Sequence, residues 1–245
     1  MTTETRLPSA WYASSRAGFR QWWTVLHPPY TLWHLSYVVL GASVAADLDV
    51  VRLIATLLAF ALAVGLSAHA LDELNGRPLQ TDLPSAALIG VAVTTLAAAV
   101  TLGILGVGRV GPGLLAFVVV GVALVVGYNL ELGGGVLHND ATFALAWGGF
   151  PTLVGYFAQT GRVSPAAALV ATAACGLSLA QRTLSTPARR LRRRVTDVRG
   201  VLTLREGSVE LVDRAGLLAP LETALRILSW TTVLLAAGLA TSHYL

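Results

Sequence analysis

A chain of 245 residues in which 55% of side chains are hydrophobic and only 12% charged, with a mean hydropathy of +0.67, departs from soluble domains, where about a quarter of residues carry charge. That balance excludes the water-soluble globular classes and indicates an integral membrane protein. The net charge of +4 and the pI near 9.7 rest on arginine alone, since the chain has no lysine; we assign this basicity to membrane topology and expect no nucleic-acid partner.

The first 29 residues are polar and aromatic, without the apolar core or small-residue cleavage site of a signal peptide. Trp11, Tyr12, Trp22, Trp23, Tyr30 and Trp33 suggest an amphipathic helix lying at the headgroup level before the first span. Continuous apolar runs then follow at 30–46, 50–70, 84–107, 111–130, 141–158, 164–184 and 218–240, each near the ~17–25 residues that a helix needs to cross a bilayer. The alternation of a β-barrel is absent. The expectation is an all-α polytopic membrane bundle of about seven transmembrane helices, a single domain over 1–245. Fourteen of the seventeen arginines fall on one side if the N-terminus is inside, with Arg52, Arg109 and Arg162 outside. This predicts a multi-pass cell-membrane protein with a cytoplasmic N-terminus and an external C-terminus.

The polar clusters at 69–82, 131–140 and 182–214 then share the cytoplasmic side. In "HALDELNGRPLQT" (69–81), His69, Asp72 and Glu73 stand at i, i+3 and i+4, a spacing that lets them converge on a metal ion. Carboxylates favour Mg²⁺, and the imidazole makes Mn²⁺, Zn²⁺ or Fe²⁺ as reasonable. The same stretch also reads as a helix end, with a Glu73–Arg77 pair, an Asn75-Gly76 stop and Pro78 beyond it.

In "YNLELGGGVLHND" (128–140), Tyr128, Asn129 and Glu131 close the fourth span, and His138, Asn139 and Asp140 open the fifth. Asn139 or Asp140 suits a helix cap, and the three glycines suit a tight turn, since the lysine and spacing of a P-loop are missing. His138 is the candidate acid or base. Trp147-Gly148-Gly149 and Pro151 predict a kink in the fifth span, and Cys175 in the sixth reads as packing.

Gln181 and Arg182 lie at the inner end of the sixth span, ahead of an arginine run at Arg189, Arg190, Arg192, Arg193 and Arg194. The run suits anionic phospholipid headgroups; a sharper reading makes Arg182 part of a phosphate clamp, because the planar fork of arginine pairs with phosphate oxygens. The insertion 195–217 alternates apolar and polar residues around Glu206-Gly207, the pattern of a β-hairpin. Helix resumes with Pro220 near its start and an i,i+4 pair of Glu222 and Arg226.

"HPPYTLWHLSYVVLGASVAA" (27–46), "AHALDELNGRPLQT" (68–81) and "YNLELGGGVLHNDATFALAWGGFPTLVGYFAQTG" (128–161) together resemble the UbiA superfamily of intramembrane prenyltransferases, over about residues 20–190. The resemblance implies a helical bundle in which two aspartate-rich motifs, after the second and sixth spans, hold Mg²⁺ against a prenyl diphosphate, with the hydrocarbon tail in an apolar channel open toward lipid. The first motif, N-D-x-x-D-x-x-x-D, falls on Ala68, His69, Asp72 and Gly76, so only Asp72 matches it. The second falls on "LAQRTLSTPARRLRRR" (179–194), which contains no acid. The family usually has nine spans.

On this resemblance the expected activity is metal-assisted transfer of an isoprenoid group from a prenyl diphosphate to a small or lipid acceptor. His69, Asp72 and Glu73 would bind the metal, Mg²⁺ first. Arg182 and Arg77 would bind the diphosphate, with Asn129, Asn139, Gln181 and Arg189 around the substrate, and Tyr128 or His138 would assist the acceptor or the cation. The alternatives are terpene cyclisation in the same cavity and a non-catalytic isoprenoid- or lipid-binding accessory protein.

Overall fold

The computed structural model describes residues 18–244, so Trp11, Tyr12, Arg6 and Arg16 lie outside the described residues. Long helical segments follow one another up and down: α1 Pro28–Ala42, α2 Val50–Leu74, α3 Ser85–Val110, α4 Leu114–Asn129, α5 over 140–160, α6 Pro165–Arg193 and α7 Arg214–Thr241. They occupy the apolar runs of the sequence. Four of them (α2, α3, α6 and α7) are long and apolar enough to cross a membrane, and α4 is a shorter apolar helix. Exposed Ile54, Val93, Leu105, Leu169 and Leu234 clothe the outside of the bundle, as suits a lipid-facing surface.

Helix starts follow from side-chain caps. Asp49 accepts from the Arg52 amide, Asn139 from Thr142, Ser164 from Ala167 and Asp213 from Gly216, each satisfying a donor that the first turn leaves unpaired. Pro165 takes the first helical position, where its missing N–H costs nothing.

Two of the helices are not α throughout. Within α2, Ala61–Ala68 is a π-helix, and within α5 so is Leu145–Gly149, with Pro151 just beyond. The interruption expected at Trp147-Gly148-Gly149 is therefore a π segment. The one in α2 holds a single glycine, Gly65, and no proline, too little to announce it.

At the centre, α1 packs most extensively on α5 and α7. Lipid tails are as apolar as leucine, so helices associate in a membrane through close backbone approach. A Cβ on Gly41 would collide with the Thr152 carbonyl, and one on Gly155 with the Val38 carbonyl, so only glycine permits this crossing. Trp33 is fully buried in a cluster with Tyr37, Leu40, Ala174 and Leu225, and its indole N–H donates to the Tyr37 hydroxyl at 2.6 Å. It is a core residue and not the headgroup-level ring expected of it. In the short helix Gln21–Val25, Val25 packs against Ala70 and Leu88 while Trp23 stays exposed.

The last two helices differ in detail from their sequence reading. α6 continues through Pro187 to Arg193, so the arginine run is helical. α7 begins at Arg214, which puts Pro220 inside it, and Glu222 pairs with Arg192 of α6 at 2.5 Å in place of Arg226. Between them Gly200–Thr203 (β1) and Val209–Val212 (β2) form an antiparallel hairpin that turns at Gly207, where φ is +87°.

At the end of the bundle away from the arginine run, Arg52 donates to the carbonyls of Gln159 (2.8 Å), Ala158 (3.5 Å) and Arg109 (3.0 Å) and pairs with Asp49 at 3.4 Å. One cation thereby joins the start of α2 to the C-terminal ends of α3 and α5, where it also complements the helix dipoles.

Candidate functional site

The loops after α2 and α4, the entry to α1, the end of α6 and the start of α7 meet at the arginine-rich end. Backbone strain concentrates there. The non-glycine residues with positive φ among the described residues are His27, Arg77, Gln80 and Glu131, and all lie in these loops. Such conformations persist where the surroundings over-determine them, and they cluster at functional sites.

His69 and Asp72 lie one turn apart, both partly buried. The His69 Nδ1–H donates to the Gly65 carbonyl of the π segment at 3.1 Å, and its ring lies against that of His27 with centroids 5.0 Å apart. Asp72 is under the electrostatic influence of Arg189, His138 and Arg193. Glu73 points elsewhere in function: it is fully buried, and its carboxylate accepts from the Leu79 amide (2.9 Å), the Thr81 amide (2.9 Å) and the Thr81 hydroxyl (2.8 Å). Both oxygens hold the 75–84 loop. Arg77 does not close on Glu73 but donates to the Leu83 carbonyl of the same loop (2.6 Å) and to the Ser85 hydroxyl at the start of α3 (2.7 Å). Gln21 adds a reciprocal pair with Asp82, its amide donating to the carboxylate at 3.0 Å and its carbonyl accepting from the Asp82 amide at 2.9 Å.

The second cluster is built around Arg182. Its guanidinium pairs with Asp140, donates to the Tyr128 hydroxyl at 3.0 Å and lies over the Phe143 ring at 5.0 Å. The glycine turn produces the other face of Tyr128. Gly133, Gly134 and Gly135 have φ of +65°, +72° and +77°, a succession that side chains with a Cβ rarely take, and the chain folds back so that His138 stacks on Tyr128 at 4.6 Å. Asn139 serves as the cap of α5, and Asp140 is the partner of Arg182. The Asn129 amide donates to the Val125 carbonyl at 2.7 Å, and its backbone carbonyl accepts from Asn75 at 3.2 Å.

His27, His34 and Phe143, which were not singled out in the sequence, complete the site with Tyr128 and with Trp147 of the expected kink. The His34 Nδ1–H donates to the Trp147 carbonyl at 2.9 Å, because a carbonyl can only accept. Phe143 and Trp147 lie at 6.3 and 6.2 Å from the His34 ring, and Trp147 meets Tyr128 edge-on at 5.7 Å. A histidine inside an apolar span is itself a functional signal, since such residues are costly in a bilayer. For His27, just ahead of α1, the signal is subtler: it precedes Pro28 yet has φ +44°. Loss of solvation pushes its imidazole well below the ordinary value, with His69, Arg193, Arg189 and Arg192 adding to the effect.

Gln181 is buried on the inward face of α6, one turn from Ser178, and its Oε1 has no hydrogen-bond partner. Arg189 is exposed, with the Thr186 hydroxyl at 3.5 Å. Beyond Trp147 begins an apolar cavity of about 160 Å³, lined among others by Phe60, Val64, Val118, Val125 and Phe150 and ending near Arg52 and Arg109. From Val51 to Val64 along α2 its wall spans about 20 Å at the ordinary helical rise.

Among the described residues, no three His, Cys, Asp or Glu side chains are grouped so as to hold a metal ion. The donor chemistry agrees: Glu73 is occupied by its loop and Asp140 by Arg182, which leaves Asp72 as the carboxylate of the first cluster. No protein-family model, curated protein or solved structure matches the chain.

Proposed function

We propose that this chain is a seven-span, UbiA-like membrane protein that binds a prenyl diphosphate at its arginine-rich end and transfers the isoprenoid group to a small or lipid acceptor. The observation that carries this reading is a juxtaposition. A cluster of arginines, histidines and aromatic rings meets the inner end of an apolar cavity at Trp147, so a charged head and a hydrocarbon tail have contiguous places. With the arginine-rich end taken as cytoplasmic, the substrate would enter from that leaflet.

The residues present do not fit the metal cluster that the family resemblance implies, since Glu73 is held by its loop and Asp140 by Arg182. Cationic side chains supply the alternative. As the C1–O bond of the prenyl diphosphate breaks, its electron pair leaves on the diphosphate, and guanidinium groups at Arg182 and Arg189 meet that charge. The faces of Tyr128, Phe143 and Trp147 favour the allylic cation left behind. The acceptor then forms a bond to C1, and its proton passes to an imidazole, His138 being the one stacked on Tyr128. For Arg182 this requires exchange of Asp140 for phosphate oxygens, a like-for-like replacement of one anion by another.

The test is release of diphosphate by the purified protein given a radiolabelled C15 or C20 prenyl diphosphate and a membrane lipid extract. Labelled prenylated product is expected, with activity reduced in His138→Gln. A cyclised hydrocarbon formed without extract would indicate cyclase chemistry, and intact substrate after saturating binding would indicate the accessory role.

A further inference from the structure

We propose that the β1–β2 hairpin is a membrane-surface anchor whose apolar face enters the headgroup layer of an anionic leaflet. The register pairs Val201 with Leu211 and Thr203 with Val209, so these four side chains share one face. Val201, Val209 and Leu211 are exposed, Leu211 by 86%, and that face carries no charge. The opposite face bears Leu202, Val212 and Gly200 with the charged Glu210.

A two-stranded hairpin is marginal alone in water, and among the described residues this one has no substantial packing against any helix of the bundle. An uncovered apolar face of this kind calls for a partner. Its tethers limit the choice. The hairpin hangs between the end of α6 at Arg193 and the start of α7 at Arg214, two helices long and apolar enough to cross a membrane, and Arg214 donates to the Val195 carbonyl at 3.1 Å to close its base. It therefore stays beside the bilayer surface.

Charge selects the kind of surface. Between 189 and 214 eight arginines accompany four acids, and Arg189, Arg190, Arg194, Arg199 and Arg205 are exposed. Arginines surrounding an apolar face match an anionic phospholipid interface, where the cations meet phosphates and the aliphatic side chains reach the acyl boundary. The geometry does not involve the diphosphate site, so the inference is independent of the proposed activity.

The experiment uses the full chain in lipid nanodiscs, with the single native cysteine removed as Cys175→Ala and an environment-sensitive fluorophore attached at Leu211→Cys or, on the other face, Glu210→Cys. Both labelled proteins are first checked for an unchanged thermal transition. In discs containing phosphatidylglycerol, the Leu211 label should be shielded from acrylamide and quenched by spin-labelled phosphatidylcholine, while the Glu210 label remains in water. Each of Arg199→Gln and Arg205→Gln should lower the insertion equilibrium about fivefold. Equal aqueous quenching at both positions overturns the proposal, as does equal insertion in purely neutral discs. Shielding of the Leu211 label without lipid quenching means that protein covers the face, and overturns it too.

Discussion

At the end of the bundle near Arg52, one guanidinium meets the carbonyls of Ala158, Gln159 and Arg109 and the carboxylate of Asp49. At the other end, four non-glycine residues take left-handed backbone, two π segments lead into the polar cluster, and the Gln181 Oε1 is buried without a partner. The first arrangement pairs its cation with several carbonyls and closes the bundle, leaving the buried Gln159 Nε2 without a partner. The second also concentrates backbone strain that folding alone does not require, and this is the usual condition of a site.

The contrast can be broken most severely at Glu73, a buried carboxylate that belongs with the structural residues in spite of its position. Glu73→Gln turns an acceptor into a donor opposite the Leu79 or Thr81 amide. It should cost about 3 kcal/mol of stability and accelerate hydrogen exchange over 75–84. A variant with unchanged exchange would return Glu73 to the list of ligands.

Arg52→Ala comes next. It leaves helix-terminal carbonyls without their donor and should cost about 2 kcal/mol, with prenyl diphosphate affinity changed less than in Arg182→Gln. Arg182→Gln should do the reverse at the other end, lowering that affinity about thirtyfold while the thermal transition moves less than in Arg52→Ala.

Acidity sharpens the same comparison through His27. Its folded-state value lies below its unfolded value near 6.5, so between the two the unfolded chain binds the proton and the folded chain does not. This stabilisation is complete above pH ~6.5 and is lost as pH falls below it, by up to about 1.4 kcal/mol per pH unit. His27→Asn, which tolerates left-handed backbone, should flatten the decline between pH 7 and 5 in thermal melts. The smallest effect is expected from Tyr128→Phe. It keeps the ring against His138 and Trp147 and removes only the hydroxyl that accepts from Arg182, worth about 1 kcal/mol in binding.

Helix positions were legible because the apolar runs are long and their caps are local: Asp49, Asn139, Ser164 and Asp213 each stand directly before a helix start. The hairpin lies where apolar and polar residues alternate around Gly207. Pairing was harder to read. Glu73 with Arg77, and Glu222 with Arg226, have the spacing of helix pairs, yet the following loop took Glu73 and Arg192 of α6 took Glu222, because a buried carboxylate gains more from several donors or an adjacent buried cation than from a solvated neighbour. Trp33 illustrates a similar limit, since an indole near the start of a span reads alike whether it faces headgroups or a Tyr37 hydroxyl. The π segment in α2 and the contact of His27 with His69 depend on how helices meet, which no local pattern encodes.

The most direct measurement is a calorimetric titration of the purified protein with a C15 prenyl diphosphate, with and without added Mg²⁺, in parallel with the Arg182→Gln and Asp72→Asn variants. Saturable binding that persists without the metal, weakens in Arg182→Gln and is little changed in Asp72→Asn is the result expected of a guanidinium site beside an apolar cavity. Binding that requires Mg²⁺ and disappears with Asp72→Asn, or no binding under either condition, would contradict it.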